Sequence, residues 1–175
     1  GLERSHLSSG AKPMRAVGCP ACDHSGYRGR LGIFEMIQLD ESLPEAQNNL
    51  AQFTFLYQWD WPAADRAYRR AIELNPSYSF ARTEYARFLM AEDRLDEALA
   101  QARRAQEEDP LSAESSSVAA LTLFYARRYD EAIAQYSAAI KLAPRSAQRR
   151  LGLGRAYAAK GQFDLAVAEL QQAVT

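Results

Sequence analysis

Residues 95–110 read LDEALAQARRAQEEDP, and residues 129–144 read YDEAIAQYSAAIKLAP. The two stretches align without a gap, and their final prolines, Pro110 and Pro144, are 34 residues apart, since 144 − 110 = 34. Pro76 lies the same distance before Pro110, since 110 − 76 = 34. A period of this length is typical of stacked helical hairpins. Such hairpins bury their apolar faces only against their neighbours, so the sequence predicts an α-helical solenoid.

Three further positions keep the 34-residue period. Two of them hold alanine and the third holds a bulky apolar residue: Ala64, Ala98, Ala132 and Ala166; Ala71, Ala105, Ala139 and Ala173; Trp61, Leu95, Tyr129 and Phe163. Where two helices cross closely, a side chain larger than a methyl group would push them apart. We therefore expect the alanines at helix–helix contacts and the bulky residues in the core.

The period divides the chain into a segment without repeats, residues 1–41, and a repeat domain, residues 42–175. Within the domain we place four repeats, at about residues 45–76, 77–110, 111–144 and 145–175. Each repeat should hold two antiparallel helices. In repeat two, the pattern predicts these helices at about Phe80 to Glu92 and Leu95 to Glu107.

Local signals mark the ends of these helices. Gly161 suits the left-handed turn that ends a first helix. Asp96, Asp130 and Asp164 stand at the start of the second helices, where a carboxylate can accept backbone N–H bonds. The periodic prolines end each second helix, because the residue before a proline is pushed out of the α region.

These positions together resemble the tetratricopeptide repeat. The matching residues are Gly154, Tyr157, Gly161, Phe163, Ala166 and Ala173 in repeat four, and Tyr85, Ala86, Leu89, Leu95, Ala98, Ala105 and Pro110 in repeat two. The resemblance covers about residues 45–175 and implies an all-α, right-handed superhelical solenoid of about four helix-turn-helix hairpins. Repeat one matches least, because Gln52 replaces a small residue and Pro62 stands early in the second helix.

The resemblance also implies a groove on the concave side, lined by the first helix of each repeat. By period, the candidate groove residues are Phe53, Leu56, Tyr57, Phe80, Thr83, Arg87, Met90, Ser117, Leu121, Phe124, Tyr125, Gln148, Leu151 and Arg155. Such an apolar, aromatic stripe can hold a peptide or helix, or part of it can pack against neighbouring hairpins. The Lys/Asn-rich clamp with which chaperone-binding members hold a terminal carboxylate is not visible in the sequence.

Composition narrows the range of functions. The formal net charge of −1 gives no bulk electrostatic reason for binding nucleic acid. No apolar run approaches the roughly 20 residues of a membrane span, and the chain does not start with the basic-then-apolar order of a secretory signal. No phosphate loop and no catalytic constellation occur in the sequence, so we expect no enzymatic activity. We also expect a cytoplasmic location.

The only two cysteines, Cys19 and Cys22, lie in the stretch GCPACDHSGYRGRLGIFEM at residues 18–36. Glycines among β-forming residues predict a small, β-rich or irregular N-terminal segment. The stretch resembles the C-terminal Cys-x-x-Cys zinc motif of bacterial type II secretion and type IV pilus assembly ATPases, in which two such pairs hold one zinc ion. With one pair only, we expect either no cofactor or zinc at a shared or incomplete site.

Three functions remain open on these grounds. The first is a bacterial scaffold for a protein or peptide partner, linked to type II secretion or type IV pilus assembly. The second is a regulatory C-terminal fragment of an assembly ATPase, and the third is a repeat module of a signalling or transcription regulator. The last hairpin has no polar capping helix after it in the sequence, so we also expect self-association through that repeat.

The cysteine pair generates a metal-binding prediction. Two thiolates supply half of the four ligands that Zn²⁺ prefers, so the purified chain should hold little zinc, or half a zinc per chain shared between two copies of Cys19 and Cys22. Binding should strengthen as the pH rises towards the thiol pKa, because the ligands must lose protons. Metal analysis of the protein with and without Cys19→Ser measures this, and one tightly held zinc per monomer would contradict the half-site.

Overall fold

The computed structural model describes residues 42–174, and within that range the chain forms eight α-helices and one π-helical turn. In chain order these are α1 (Pro44–Phe53), the π-helical turn (Thr54–Gln58), α2 (Trp61–Leu74), α3 (Ser79–Ala91), α4 (Leu95–Glu108), α5 (Ala113–Tyr125), α6 (Tyr129–Leu142), α7 (Ala147–Ala159) and α8 (Phe163–Val174). The helices predicted for repeat two are confirmed to within one residue. The β-rich or irregular segment predicted for residues 1–41 lies outside the described residues.

The helices pack in sequence as four hairpins. Each odd-numbered helix packs along the helix that follows it, and α2, α4 and α6 each pack against the next hairpin. The first helices also touch one another in order, α1 with α3, α3 with α5, and α5 with α7. This row of first helices, together with the π-helical turn after α1, carries the candidate groove residues. None of the helices in the described range is long and apolar enough to cross a membrane.

A left-handed residue closes the turn inside every hairpin. These residues are Trp59, Asp93, Arg127 and Gly161, with φ values of 58°, 61°, 58° and 75°. The prediction for Gly161 is confirmed, and the same conformation recurs in the other hairpins without glycine, at a cost of roughly 1 kcal/mol each. Backbone bonds that span five residues close three of the turns, as in Gln162 N–H to the Tyr157 carbonyl at 3.0 Å.

The starts of the second helices differ from the prediction of aspartate caps. In α4 and α6 the N-cap residues are Arg94 and Arg128, and neither end has a side-chain cap hydrogen bond. Asp96 lies in the first turn of α4, where its charge still opposes the helix dipole. Helix α2, unlike α4 and α6, has a carboxylate cap, in which Asp60 accepts the Ala63 N–H at 3.0 Å. Asp96 and Asp130 each stand two residues after the N-cap position, which is too late for capping.

The periodic prolines act as predicted. Helices α2, α4 and α6 end two residues before Pro76, Pro110 and Pro144, respectively. The residue directly before each proline has left the α region, with φ between −134° and −139°. The steric restriction that proline imposes on its predecessor therefore ends each second helix.

The burial expected of the periodic alanines is confirmed at all but one position. Seven of the eight are buried, namely Ala64, Ala71, Ala98, Ala105, Ala132, Ala139 and Ala166. Around them pack larger side chains such as Tyr68, Tyr85 and Phe88, whose rings lie 5.5 to 6.1 Å apart. The alanines let two backbones approach, and the aromatic rings fill the space between successive hairpins.

The last helix exposes much of its apolar surface. Phe163, expected in the core by its register, is 67% exposed, and Leu165, Val167 and Val174 are also exposed. In the earlier hairpins the corresponding faces pack against the first helix of the next hairpin. No helix follows α8 within residues 42–174, so this face stays uncovered there. Self-association through it remains a prediction.

The buried alanines predict a site-specific cost of overpacking. Ala132 is fully buried, so Ala132→Leu should destabilise the fold by roughly 1–3 kcal/mol. Ala138 lies exposed on the same helix, so Ala138→Leu makes the same chemical change without overpacking and serves as the control. Thermal and urea unfolding of both variants measure the effect. Equal stability of the two variants would contradict the assigned register.

Candidate functional site

The fourteen candidate groove residues divide into three groups by exposure. Eight are exposed: Phe53, Leu56, Tyr57, Phe80, Tyr125, Gln148, Leu151 and Arg155. Five are half-buried: Arg87, Met90, Ser117, Leu121 and Phe124. One residue, Thr83, is buried.

Thr83 and Met90 connect helices and do not face a partner. The Thr83 hydroxyl donates to the Ser79 carbonyl at 2.9 Å and lies 3.1 Å from the Ser115 hydroxyl, which joins α3 to α5. Met90 packs against the core, and its sulfur accepts a hydrogen bond from Thr122 at 3.1 Å. Neither side chain offers free polar atoms to a ligand.

A cavity of about 210 Å³ lies among α3, α5 and α7. We call it the α3–α5–α7 cavity. Its lining comprises Arg87, Glu114, Ser117, Val118, Leu121, Tyr125, Tyr136, Gln148, Arg149, Leu151, Gly152 and Arg155. Half of the candidate groove residues meet here: Arg87, Ser117, Leu121, Tyr125, Gln148, Leu151 and Arg155. The structure adds five that the sequence did not single out as groove residues: Glu114, Val118, Tyr136, Arg149 and Gly152.

Tyr136 of α6 and Gly152 of α7 meet at this cavity. A Cβ atom at position 152 would lie 2.4 Å from the Tyr136 ring, so only glycine allows α7 to approach this closely. Burial raises the pKa of the Tyr136 phenol to about 12, which keeps it neutral and able to donate a hydrogen bond at ordinary pH. A glycine inside a helix indicates close packing, but the sequence alone does not identify Tyr136 as the residue that Gly152 faces.

Glu114 connects two arginines at the cavity. It forms ion pairs with Arg87 of α3 and with Arg149 of α7, the latter at 3.2 Å. The Arg149 Nε atom also donates to the Ser117 hydroxyl at 2.9 Å. The Arg149 side chain is only 15% exposed, so these bonds hold it in a fixed position. Three successive first helices are thus bridged by charged side chains.

The charged network continues towards the first hairpin through Glu84. Arg87 lies 3.3 Å from Glu84, and the Gln52 amide of α1 donates to the same carboxylate at 3.4 Å. Gln52 stands at a position where the repeat usually has a small residue. It is half-buried there, and the Glu84 carboxylate accepts a hydrogen bond from its amide group. Burial is the main cause that raises the pKa of the Glu84 carboxyl, and the nearby charge of Glu114 raises it further.

Arg155 differs from the other two arginines of the cavity. Its guanidinium carbon lies 5.0 Å from the centre of the Phe124 ring, which is a cation–π distance. Within residues 42–174 it forms no ion pair with a carboxylate. Arg155 therefore presents an unmatched positive charge at the edge of the cavity.

The remaining candidates lie outside the cavity. Phe53 and Tyr57 belong to α1 and the π-helical turn, where their rings contact each other at 5.4 Å, and Leu56 lies exposed between them in sequence. Phe80 at the start of α3 contacts the Tyr78 ring at 6.2 Å. The predicted stripe is thus divided into a central part that forms a cavity and an N-terminal aromatic part that does not contribute to it.

Cys19 and Cys22 fall among the residues that the structure does not describe, so the zinc half-site remains a prediction. In the described range, no three His, Cys, Asp or Glu side chains are grouped so that they could hold a metal ion. The charged groups that line the α3–α5–α7 cavity are three arginines and one carboxylate, and that carboxylate, Glu114, bridges Arg87 and Arg149. This arrangement suits recognition of a polar or charged ligand.

Comparison with curated proteins gives short matches, in the N-terminal region of the chain. The type II secretion system ATPase E of Vibrio cholerae is 58% identical over 31 residues, which are 18% of this chain and 6% of that protein. The type II secretion system protein E of Aeromonas hydrophila is 56% identical over 40 residues, 23% of this chain and 8% of that protein. The matched stretches thus span less than a tenth of these relatives.

Comparison with solved structures gives the fold of the helical part. A crystal structure of MamA matches with a TM-score of 0.68 at 20% identity, covering 78% of this chain and 80% of that one. Pseudomonas aeruginosa pilF matches with a TM-score of 0.70 at 18% identity, over 78% and 62% of the two chains. YrrB, described as a TPR protein with an unusual peptide-binding site, matches with a TM-score of 0.65 at 20% identity, over 78% and 70%.

A family model for the tetratricopeptide repeat matches residues 54–113 and 118–175. These ranges include most of the four hairpins and all residues that line the α3–α5–α7 cavity except Glu114 and Ser117. The resemblance inferred from the 34-residue period is confirmed by this match. The chain belongs to the tetratricopeptide repeat family.

Proposed function

We propose that this protein is a scaffold that binds a peptide or helix of a partner protein in the α3–α5–α7 cavity. The observation that carries the proposal is the convergence of side chains from three successive first helices on one cavity of about 210 Å³. Tetratricopeptide repeat domains bind protein or peptide partners. We assign this general role to the cavity.

The chemistry of the cavity suits a peptide. Leu121, Tyr125 and Leu151 provide apolar contact area, and Leu151 is 47% exposed before any partner binds. Arg149 is already held by Glu114 and Ser117, so it can contact a ligand with little further loss of side-chain entropy. Apolar walls with a few fixed polar groups are the usual composition of a ligand site.

The likeness to YrrB adds support of a different kind. That protein is described as having an unusual peptide-binding site, and it shares the fold of this chain at 20% identity. Likeness at this level concerns the fold and does not identify a shared ligand. Peptide binding by the present chain therefore depends on the cavity and has to be tested on it.

A displayed random 12-residue peptide library tests the proposal. Peptides selected on the 175-residue chain should bind it in a fluorescence-anisotropy titration. Leu151→Glu should weaken them by about tenfold or more, because burying one leucine contributes about 1.5–3 kcal/mol. Leu111→Glu is the matched control, since Leu111 is 80% exposed and does not line the cavity.

Two results would contradict the proposed function. The library could yield no peptide that binds, or the selected peptides could bind the Leu151→Glu and Leu111→Glu variants equally well. The thermal melts of both variants need to match that of the parent protein. Both substituted residues are exposed in the folded chain, so we expect no loss of folding.

We propose further that the partner belongs to a bacterial type II secretion or type IV pilus assembly system, and that the chain acts in the cytoplasm. The support is the stretch that is 58% identical over 31 residues to a type II secretion ATPase. A regulatory C-terminal part of such an ATPase is the alternative that the same stretch favours. A phosphate loop and a second Cys-x-x-Cys pair encoded directly before Gly1 would favour that alternative.

A two-hybrid screen against each subunit of these systems from the same host tests the link. At least one subunit should bind the chain, and binding should be lost with Leu151→Glu and kept with Leu111→Glu. If library peptides bind the cavity but no subunit does, the scaffold role stands and the link to secretion or pilus assembly is wrong.

A further inference from the structure

We infer that the α3–α5–α7 cavity recognises an acidic side chain, Asp or Glu, of the bound peptide, with Arg155 as its main contact. This inference rests on the proposed function, because it names the chemistry of the segment that the cavity would hold. It is carried by the charge balance of the cavity, the placement of Arg155 and a free phenol at the same cavity.

The charge balance around the cavity favours an anion. Three guanidinium groups line it, those of Arg87, Arg149 and Arg155, against the single lining carboxylate of Glu114. Arg87 also pairs with Glu84 just outside the lining, which brings the count to three cations and two carboxylates. Arg87 and Arg149 share these carboxylates. One positive charge is left, and it belongs to Arg155.

Arg155 has hydrogen-bond donors available for a ligand. Its guanidinium carbon lies 5.0 Å from the centre of the Phe124 ring, a cation–π contact that favours this position of the side chain. Those donors lie in the plane of the guanidinium and form a fork that matches the two oxygens of a carboxylate. No hydrogen bond from Arg155 to any other side chain is found in the described part of the chain.

Tyr136 supplies a second donor at the same cavity. Its hydroxyl group makes no hydrogen bond within residues 42–174, and it is not sealed off from solvent. Because burial raises the pKa of this phenol to about 12, the group keeps its proton at neutral pH. A neutral O–H donor beside an unmatched guanidinium suits a carboxylate and does not suit a lysine or arginine side chain.

The apolar walls and the volume of the cavity limit the size of the bound segment and favour an apolar residue beside the acidic one. Leu121 and Leu151 can cover the methylene groups of the acidic residue or a neighbouring apolar side chain. A volume of about 210 Å³ accommodates one or two side chains, not a folded domain. The expected motif is therefore one acidic residue next to one apolar residue, within a longer peptide.

A titration followed by NMR tests the inference on the whole chain with three small probes. These are N-acetyl-Leu-Glu-amide, N-acetyl-Leu-Gln-amide and N-acetyl-Leu-Leu with a free C-terminal carboxylate. The Glu probe should bind about tenfold more tightly than the Gln probe, as expected for one charge-assisted hydrogen bond. It should shift the Arg155 Nε–H and Leu151 methyl signals.

Substitution of the arginine identifies the contact. Arg155→Gln should remove the preference for the Glu probe over the Gln probe and leave binding of the Gln probe unchanged. Arg66→Gln is the matched control, because Arg66 is exposed on α2 and does not line the cavity. Raising the salt concentration should weaken the Glu probe more than the Gln probe.

Equal binding of the Glu and Gln probes, or a preference that survives Arg155→Gln, would overturn the inference. Binding of the free C-terminal carboxylate in preference to the Glu side chain would also overturn it. These results are separable from a failure of the proposed function. If library peptides still depend on Leu151, the scaffold role stands and only its acidic specificity is wrong; if no library peptide binds, both are wrong.

Discussion

The close crossing of two helices at buried alanines is the contact on which the rest of this structure depends. Ala64, Ala98 and Ala132 have no exposed surface, and each lies in the second helix of a hairpin, which packs along the first. Because this contact recurs every 34 residues, successive hairpins stack in the same way. The first helices then form a row, and their free faces become one continuous surface.

The surface formed by the first helices carries polar and charged side chains as well as apolar ones, unlike an exposed part of a hydrophobic core. Ionic and hydrogen-bonded contacts run from Gln52 through Glu84, Arg87 and Glu114 to Arg149, so they connect the first helices of all four hairpins. Partly buried charges are tolerated because each has a partner of opposite sign. Arg155 stands apart from this chain of contacts, and within residues 42–174 its charge meets the ring of Phe124 and no carboxylate.

Most of the fold could be predicted from the sequence, because its determinants are local and periodic. Helix ends at Leu74, Glu108 and Leu142 follow from the prolines two residues later. The left-handed residue Asp93 could not be found in this way, since tertiary packing imposes a conformation that the residue type does not favour. The N-caps were placed too late because Arg94, at the capping position, carries no capping signal.

The site could be predicted only in part, because it depends on distances between helices. The period places Leu121, Leu151 and Arg155 on the free faces, and the structure brings them together. The period also predicted Thr83 as a groove residue, but its side chain is buried, and its hydroxyl group contacts the Ser115 hydroxyl group. Glu114 and Arg149 were missed because their role arises from a pairing across 35 residues, and a single sequence does not reveal such a pair.

The central claim is that the α3–α5–α7 cavity is where this scaffold holds its partner, and site-specific photo-crosslinking in the host cell tests it most directly. A benzophenone side chain at position 125, in place of the cavity residue Tyr125, should form a covalent adduct with one partner polypeptide. The same side chain at position 111, in place of the exposed loop residue Leu111, should form none. Adducts of equal yield at both positions, or none at position 125, would contradict the account.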